Sequence, residues 1–132
     1  KNDVWWSTDG INWSRETANA GWAGRSRHQA LSHNGRLYVL GGWAGSRKND
    51  VWSSADGASW SLETANAGWA VREGHQALSH YGRLYVLGGL NSITNSLNDV
   101  WSSVDGANWS LETAGAGWAR RDNHQAVVFL PE

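Results

Sequence analysis

Residues with reactive side chains recur along this chain at fixed intervals. Three histidines stand 47 and 49 residues apart, and each follows an arginine by three positions; these residues are His28, His75 and His124 with Arg25, Arg72 and Arg121. Imidazole nitrogen atoms bind transition metals, so three converging histidines could form a zinc-type site. Their wide spacing offers no short-range chelate, and a hydrogen bond between each histidine and its arginine, tying a loop to its sheet, is the favoured interpretation. We expect no metal and no cofactor.

The carboxylates repeat in the same way, which bears on catalysis. Each unit has one aspartate near its start (Asp3, Asp50 and Asp99), for which a charge-assisted framework contact with the repeated arginines is favoured over catalysis. Pairs such as Asp56 with Glu63 also recur. Such repetition would build the same site in every unit, whereas catalytic sites usually combine unlike neighbours. The sequence has no phosphate-binding glycine loop, no GxSxG turn, no HExxH motif and no cysteine. These features predict a protein that is not an enzyme.

The composition excludes several classes of partner. The 132 residues suffice for one ordinary domain, and 11 Lys and Arg oppose 12 Asp and Glu, a net charge of −1. That balance leaves no basic surface for a nucleic acid or an anionic membrane. No apolar run approaches the roughly 18 residues of a membrane span, and the opening KNDVWWSTDG lacks the apolar core of a signal peptide. We expect a soluble chain; its compartment stays open, with secretion by a bacterium as one alternative.

Three copies of one unit make up almost the whole chain. The copies begin at Asn2, Asn49 and Asn98, and the first two are identical at 32 of 41 positions. A period of this length is typical of propeller blades. Each full unit has four short apolar or alternating segments separated by turns, which predicts four antiparallel strands. Across the second and third units these segments are 75–80, 83–87, 99–104 and 109–113. One such sheet cannot bury its apolar faces alone, so the sequence predicts an all-β fold of stacked sheets.

These units resemble kelch-type β-propeller blades. The likeness rests on an apolar strand ending in a glycine pair, an aromatic residue after a variable loop, a tryptophan one turn later, and an arginine and a histidine before the next strand. The corresponding residues are Gly41-Gly42 and Gly88-Gly89, Trp52 and Trp101, Trp60 and Trp109, and Arg72 with His75 and Arg121 with His124. Tryptophan replaces the usual tyrosine of the third strand, and the short SADGASW hairpin is similar to an Asp-box hairpin that lacks one residue before its glycine. Both features indicate a divergent, bacterial-like branch of the kelch family.

The resemblance implies the order of the strands and the division of the chain. In kelch blades the HQALSH-type strand is innermost, RLYVLGG is second, NDVW is third, and the hairpin leads to an outer fourth strand. The chain is therefore expected to hold an outer half-blade (1–22), two blades (23–70 and 71–118) and the inner strand of an incomplete blade (119–132, with the strand at 124–129). That is eleven strands, or about 2.75 blades, whereas propellers have four to eight. Two chains would supply four whole blades and two composite blades, giving a six-bladed dimer, but each composite blade lacks a second strand. Either neighbouring segments shift to fill that position, or the rest of a longer propeller supplies the strand, and the two alternatives are weighed equally.

Recurring and non-recurring residues are assigned different roles. Residues that recur in register are assigned structural roles, and the tryptophans among them are expected to pack between blades. These structural repeat positions are Trp52, Trp60, Trp69, His75, Gly88 and Gly89. Trp6 and Trp43 have no counterparts, and the copies differ most in the loop after the glycine pair and the loop before the histidine. Both loops are expected on one face of the propeller, where partners bind. The candidate binding residues are Trp43, Arg25, Arg27, Arg47, Arg72 and Arg121. The turn histidines, His33 and His80, are expected to be solvated.

The function predicted from these features is binding or assembly. The partner would be a protein or, in the alternative class, a glycan, because tryptophan and arginine side chains on loops suit the faces and hydroxyl groups of sugars. Neutral drift explains the variable loops equally well. A catalytic propeller would require unlike charged residues clustered in the channel, and the sequence indicates none.

Overall fold

The computed structural model describes residues 1–131, so that Glu132, the last residue of the predicted incomplete blade, lies outside the described residues. The strands are β1 (Val4–Trp6), β2 (Ser14–Thr17), β3 (Gln29–His33), β4 (Arg36–Trp43), β5 (Arg47–Ser54), β6 (Ser61–Thr64), β7 (Gln76–His80), β8 (Arg83–Ser92), β9 (Asn95–Ser103) and β10 (Ser110–Thr113). Residues 1–131 include no helix with the length and hydrophobicity of a membrane span.

The strands form two four-stranded sheets and one two-stranded sheet, all antiparallel. Blade 1 has the order β3-β4-β5-β6, and blade 2 has the order β7-β8-β9-β10. Strands β1 and β2 pair with each other and form what we call the outer pair. The first strands of the two blades, β3 and β7, contact each other. The predicted all-β fold, with four-stranded antiparallel blades joined at their inner strands, is confirmed.

A short Ser-x-Asp-Gly hairpin joins the third and fourth strands of each unit. In blade 1 the Ser54 hydroxyl accepts the amide of Gly57 at 2.8 Å, and the Asp56 carboxylate accepts the amide of Ser59 at 2.8 Å. The indole of Trp60 then donates to the carbonyl of Gly57 at 2.9 Å. The same bonds occur in the other two units. Side chains close this turn because the oxygen atoms of serine and aspartate accept hydrogen bonds from backbone amides in tight turns.

Apolar side chains fill the layer between blade 1 and blade 2. The buried members are Tyr38, Leu40, Val51, Ala67, Trp69, Leu84 and Val86. Trp69 is fully buried and meets Trp109 edge to face, with ring centroids 5.7 Å apart. A second layer lies between the outer pair and blade 1, where Trp22 meets Trp60 at the same 5.7 Å and the same 90° angle. The repeated tryptophans thus pack wherever a neighbouring unit is present.

Equivalent residues differ sharply in exposure according to their place in the stack. Leu84 of blade 2 is fully buried, whereas its counterpart Leu37 of blade 1 is 40% exposed. Likewise Trp13 of the outer pair is 56% exposed, while its counterparts Trp60 and Trp109 are partly buried against a neighbouring layer. The sequence at these positions is almost constant, so the difference comes from the neighbours and not from the residue.

The glycine pair at the middle of β8 is required by close packing. Gly89 has a φ of +100°, and a Cβ atom there would lie 2.7 Å from the Cβ of His75 in the same blade. A Cβ on Gly88 would lie 3.0 Å from the ring of His124 in the following segment. Only glycine combines this backbone conformation with this lack of space. The pair therefore brings the histidines of two successive units against one strand.

The segment after Arg121 corrects one prediction. The sequence predicted an inner strand at 124–129, but residues 122–131 form no strand. The amide of Ala126 does bond to the side chain of Gln76, and Val127, Val128 and Phe129 lie beside the two inner strands of blade 2, β7 and β8. The segment thus lies where the inner strand of a next blade would lie. It is not a strand, because a strand requires a hydrogen-bonded neighbouring strand and none of residues 1–131 provides that neighbour.

Candidate functional site

Arginines 25 and 72 are structural, which corrects their assignment as ligand-binding residues. Arg72 is fully buried and forms a two-pronged ion pair with Asp99, with N–O distances of 2.8 and 2.9 Å. It also donates to the carbonyl of Gly88 at 2.8 Å. Arg25 makes the equivalent contacts with Asp50 and Gly41 in blade 1. Their guanidinium groups hold the third strand and the glycine pair together and are not free for a ligand.

The same contacts show that the predicted arginine–histidine hydrogen bonds do not form, because each of these two arginines bonds to an aspartate. Partial burial raises the pKa of Asp99, but the hydrogen bonds and charge of Arg72 outweigh it and hold the pKa below its ordinary value. The hydrogen bonds and charge of Arg25 hold the pKa of Asp50 below its ordinary value in the same way, against the effect of burial. The aspartates are therefore ionised partners of buried cations, and the histidines have a different role.

The repeated histidines are packing residues. His75 is fully buried, with its ring 6.0 Å from the ring of Trp69 and its Cε1 atom close to Gly41 of the preceding blade. Burial, followed by the nearby charge of Arg72, lowers the pKa of His75 to about 3, so the ring is neutral at pH 7. Within residues 1–131, no three His, Cys, Asp or Glu side chains are arranged to hold a metal ion.

His33, which was expected to be solvated, is buried between the blades. Its Nδ1 atom lies 2.7 Å from the hydroxyl of Ser79 in blade 2, and its Nε2 atom lies 3.2 Å from the carbonyl of Val104. Its counterpart His80 is partly buried and packs against Tyr81. The expectation for His33 was wrong because the inner turn of blade 1 is covered by blade 2.

The two variable loops lie side by side, as the sequence predicted. Ser26, in the loop before the histidine, exchanges two backbone hydrogen bonds with Trp43, at 2.8 and 3.0 Å. Strands β4 and β5 extend past the glycine pair, so Trp43 pairs directly with Arg47 across a short turn. The Arg47 guanidinium lies 5.5 Å from the Trp43 ring, and that ring is 40% exposed. An exposed tryptophan and a partly buried arginine thus form an aromatic and cationic pair at this edge.

Arg27 links this edge to the following units. Its guanidinium donates to Glu73 at 2.8 Å and to the side chain of Asn123 at 3.0 Å, and it lies 3.4 Å from Asp122. Glu73 also accepts a bond from Arg47 at 3.3 Å. These charges connect blade 1, blade 2 and the last segment at one end of the inner strands. The structure thus brings Trp43, Arg27 and Arg47 together.

Arg121 lies apart from that group. It is exposed, its guanidinium stands 5.4 Å from the ring of Trp118, and it bonds to the carbonyl of Ala119 at 2.9 Å. Its counterparts Arg25 and Arg72 each bond to an aspartate 25 or 27 residues later. The described residues after Arg121 are too few to provide an equivalent aspartate. Arg121 is therefore the exposed form of a residue that is buried in complete blades.

Two further sets of contacts, missed in the sequence, join successive units near the axis. The amide of Gly74 donates to the carbonyl of Arg27 at 2.9 Å, and the amide of Asn123 donates to the carbonyl of Gly74 at 2.8 Å. All three residues have positive φ, between 54° and 63°. In the same way Gln29 accepts the amide of Ala77, at 3.2 Å, a contact repeated between Gln76 and Ala126. This glutamine recurs in every unit, and its recurrence was the feature of the sequence that could have indicated these contacts.

Comparison with known proteins agrees with this geometry. A family model described as the kelch motif matches residues 24–53 and residues 72–102, which correspond to the first three strands of each blade. A search of curated protein sequences gives no match to the chain. Each matched segment lies within one of the two complete antiparallel blades, and the order of its strands agrees with that observed. The chain is therefore built from kelch repeats, and its blades are those of a kelch-type β-propeller.

Proposed function

We propose that this chain is a non-catalytic binding module: a segment of a kelch propeller that binds a partner on its loop face and completes its ring with further kelch blades. Copies of the same chain are one source of those blades, with two chains forming a six-bladed ring. The rest of a longer propeller is the other source. The kelch motifs themselves indicate a protein-binding propeller.

The observation that carries this proposal is the repetition of one set of contacts from unit to unit. The amide and carbonyl bonds that join Arg27 to Gly74 and Gly74 to Asn123 have the same geometry at both steps. Another unit placed by the same geometry would donate its amide to the carbonyl of Asn123. Contacts that relate each unit to the next in one direction either close into a ring or continue as a filament. A propeller closes them into a ring.

The end faces support the same conclusion. Trp13 presents its indole to solvent, whereas its counterparts Trp60 and Trp109 each lie edge to face against a tryptophan of the preceding unit. The free equivalent of that preceding tryptophan is Trp118, which is partly buried at the other end of the chain. A second copy added at this end would bring its Trp13 against Trp118. Exposed tryptophans at positions that are packed in the other layers are typical of an interface.

The variant Trp13→Ala tests the association. Trp13 is expected to become a buried aromatic anchor in the ring, and such residues often contribute 2 kcal/mol or more, so the dissociation constant should rise about thirtyfold. Trp43→Ala is the matched control, because Trp43 is similarly exposed but lies on the loop face. Sedimentation velocity over a concentration series measures both. An unchanged dissociation constant for Trp13→Ala would contradict the proposed interface.

The partner-binding surface that we propose consists of Trp43, Arg47 and Arg27. An aromatic face next to planar cationic donors binds acidic or aromatic groups of a protein. Because Trp43 is exposed and outside the layers between blades, the double variant Trp43→Ala, Arg47→Ala should keep the melting temperature within a few degrees. A crosslinker attached to a cysteine in the variant Ala44→Cys, between Trp43 and Arg47 in the sequence, would capture proteins bound at this surface. Equal capture by the double variant would exclude this surface.

Glycan binding is the second candidate, and the exposed indole of Trp43 beside the Arg47 guanidinium favours it. An aromatic face stacks on a sugar ring, and arginine donates to its hydroxyl groups. A glycan array separates the two candidates. Saturable binding that is lost in the same double variant would favour a glycan, and its absence on the array would favour a protein partner.

A further inference from the structure

The turn between β3 and β4 holds the single Asn-Gly pair of the sequence, Asn34 and Gly35. The last pair of the β3–β4 ladder is His33 opposite Arg36, so Asn34 and Gly35 are the two residues of the turn itself. Both are exposed, and both have positive φ, 47° and 75°. Two such residues are typical of a tight hairpin turn, whose central amides lie outside the ladder. The amide of Gly35 is therefore accessible to water.

An asparagine followed by glycine can react with its own backbone. The amide nitrogen of the glycine attacks the side-chain carbonyl carbon, a succinimide ring forms and ammonia leaves; water then opens the ring to aspartate or isoaspartate. Glycine has no side chain to hinder the attack, and no atom lies within 4 Å of the place where a Cβ of Gly35 would be. Ring closure needs the turn to open locally, and exposed hairpin tips open readily. The surroundings of Gly35 thus permit the reaction.

The nitrogen that would leave from Asn34 lies beside a fixed imidazole. Asn34 Nδ2 is 3.3 Å from His33 Nε2. The ring of His33 is buried and held from both sides, with Nδ1 2.7 Å from the hydroxyl of Ser79 and Nε2 3.2 Å from the carbonyl of Val104. A carbonyl only accepts hydrogen bonds, so Val104 favours the tautomer that has its proton on Nε2. That proton is within reach of the departing nitrogen.

We infer that Asn34 is a self-modifying site, at which the side-chain amide becomes a carboxylate through a succinimide with Gly35 and His33 is the general acid. The Gly35 amide loses its proton to water, and its nitrogen bonds to Cγ of Asn34. The bond between Cγ and Nδ2 breaks while Nε2 of His33 gives its proton to Nδ2, and the imidazole regains a proton from water. The net reaction consumes water and releases ammonia, and nothing is oxidised or reduced. It takes place within blade 1 and its contact with blade 2, so it does not depend on how the ring is completed.

The other candidate positions lack part of this arrangement. Blade 2 has the same turn at Tyr81 and Gly82, with φ of 46° and 73°, but tyrosine has no amide to lose. Asn19 and Asn66 are exposed, but alanine follows each of them, and its side chain hinders attack by the backbone nitrogen. No other asparagine of the chain precedes a glycine. The reaction is therefore expected at Asn34 alone.

The modification would act on the contact between the two blades. Isoaspartate continues the chain through its side-chain carbon, which adds a methylene group to the backbone of a two-residue turn. The length of such a turn sets the register of its hairpin, so the neighbouring pair of His33 and Arg36 would shift. His33 also joins blade 1 to Ser79 and Val104 of blade 2. Conversion should therefore weaken this contact.

Incubation of the folded chain near neutral pH, followed by proteolysis and mass spectrometry, tests the inference. The method detects replacement of the amide group by a hydroxyl group at each asparagine, and the aspartate and isoaspartate products separate by chromatography. We expect conversion at Asn34, while Asn19 and Asn66 stay unconverted in the same sample. The variant His33→Gln should slow conversion about tenfold or more, because a positioned general acid contributes at least that much. In urea the same variant should react at the rate of the native sequence, because unfolding removes the contact of the ring with Nδ2.

Two further variants keep the test decisive. His80→Gln makes the same change beside the turn of blade 2 and should leave the rate at Asn34 unchanged. Ser79→Ala removes the hydroxyl that holds Nδ1 of His33; it should slow conversion even if His33→Gln does not fold, and circular dichroism checks the fold of each variant. Conversion at Asn34 no faster than at Asn19 and Asn66 would overturn the inference. So would rates in the folded chain that neither His33→Gln nor Ser79→Ala lowers, or an equal effect of His33→Gln in urea.

Discussion

Replacing Trp69 with alanine removes the central side chain of the layer between blade 1 and blade 2. Trp69 is fully buried, lies 5.7 Å from Trp109, and has the guanidinium of Arg72 5.6 Å from its ring. Loss of a buried tryptophan costs about 3–5 kcal/mol of unfolding free energy, and the edge-to-face pair with Trp109 accounts for about 0.5–1.5 kcal/mol of it. This is a large fraction of the stability of an ordinary domain.

The matched control is Trp43→Ala. The Trp43 ring is 40% exposed and contacts Arg47 outside the layer, so its loss should cost less than about 1 kcal/mol. Urea unfolding followed by circular dichroism, at one fixed protein concentration, measures both variants. If Trp69→Ala lost less than about 2 kcal/mol, or if both variants lost the same amount, the layer between the blades would not carry the stability assigned to it.

Two further variants test the glycine pair and the buried histidine. Gly89→Ala should cost about 2–3 kcal/mol more than Gly82→Ala, because both residues have positive φ but only Gly89 would bring a Cβ against neighbouring atoms; equal losses in thermal unfolding would contradict the packing. The pKa of His75 is lowered to about 3, so between that value and the ordinary 6.5 the unfolded chain binds more protons than the folded chain. The unfolding free energy should fall as the pH drops through this range, by at most about 1.4 kcal/mol per pH unit for this residue. His75→Gln should make urea midpoints less dependent on pH between 6.5 and 4.5, and an unchanged slope would mean that the ring is not buried in its neutral form.

Repetition made the fold predictable from the sequence. The segment Leu84 to Leu87 with its glycine pair appears twice at the same distance from the Asp-Gly turn. A strand assigned in one unit can therefore be checked against the same pattern in the other unit. The kelch motif, the antiparallel blades and their order were predicted correctly for the same reason. The boundaries were less predictable: β8 runs on to Ser92, because hydrogen bonds to β9 continue past a bulge at the glycine pair.

The site was only partly predictable, because a linear pattern does not show which charges meet. The repeated arginines and aspartates were expected to form framework contacts, and Arg72 does bond to Asp99. The hydrogen bond expected between Arg72 and His75, three residues apart, does not form because the guanidinium is taken up by Asp99 and the Gly88 carbonyl. Burial also depends on neighbours outside the unit: His33 is covered by blade 2, and no residue in its own unit indicates this. The adjacency of Ser26 and Trp43 was predictable, since both loops leave the same end of the sheet.

The positive φ of Arg27 could not have been predicted. Its counterparts Gly74 and Asn123 are residues that commonly adopt this conformation, but arginine is not. The hydrogen bonds of its guanidinium to Glu73 and Asn123 hold the loop in this conformation, which arginine does not favour by itself.

The molar mass of the native chain, measured by light scattering at micromolar concentration, tests the central claim most directly. The end layers of the stack expose Trp13, Leu37 and Phe129, and the contacts between units repeat in one direction. If identical units complete the ring, the mass should exceed the 14.5 kDa of one chain, with twice that value for the six-bladed ring, and it should fall on dilution. A chain that remains at 14.5 kDa and unfolds cooperatively would contradict the need for neighbouring blades.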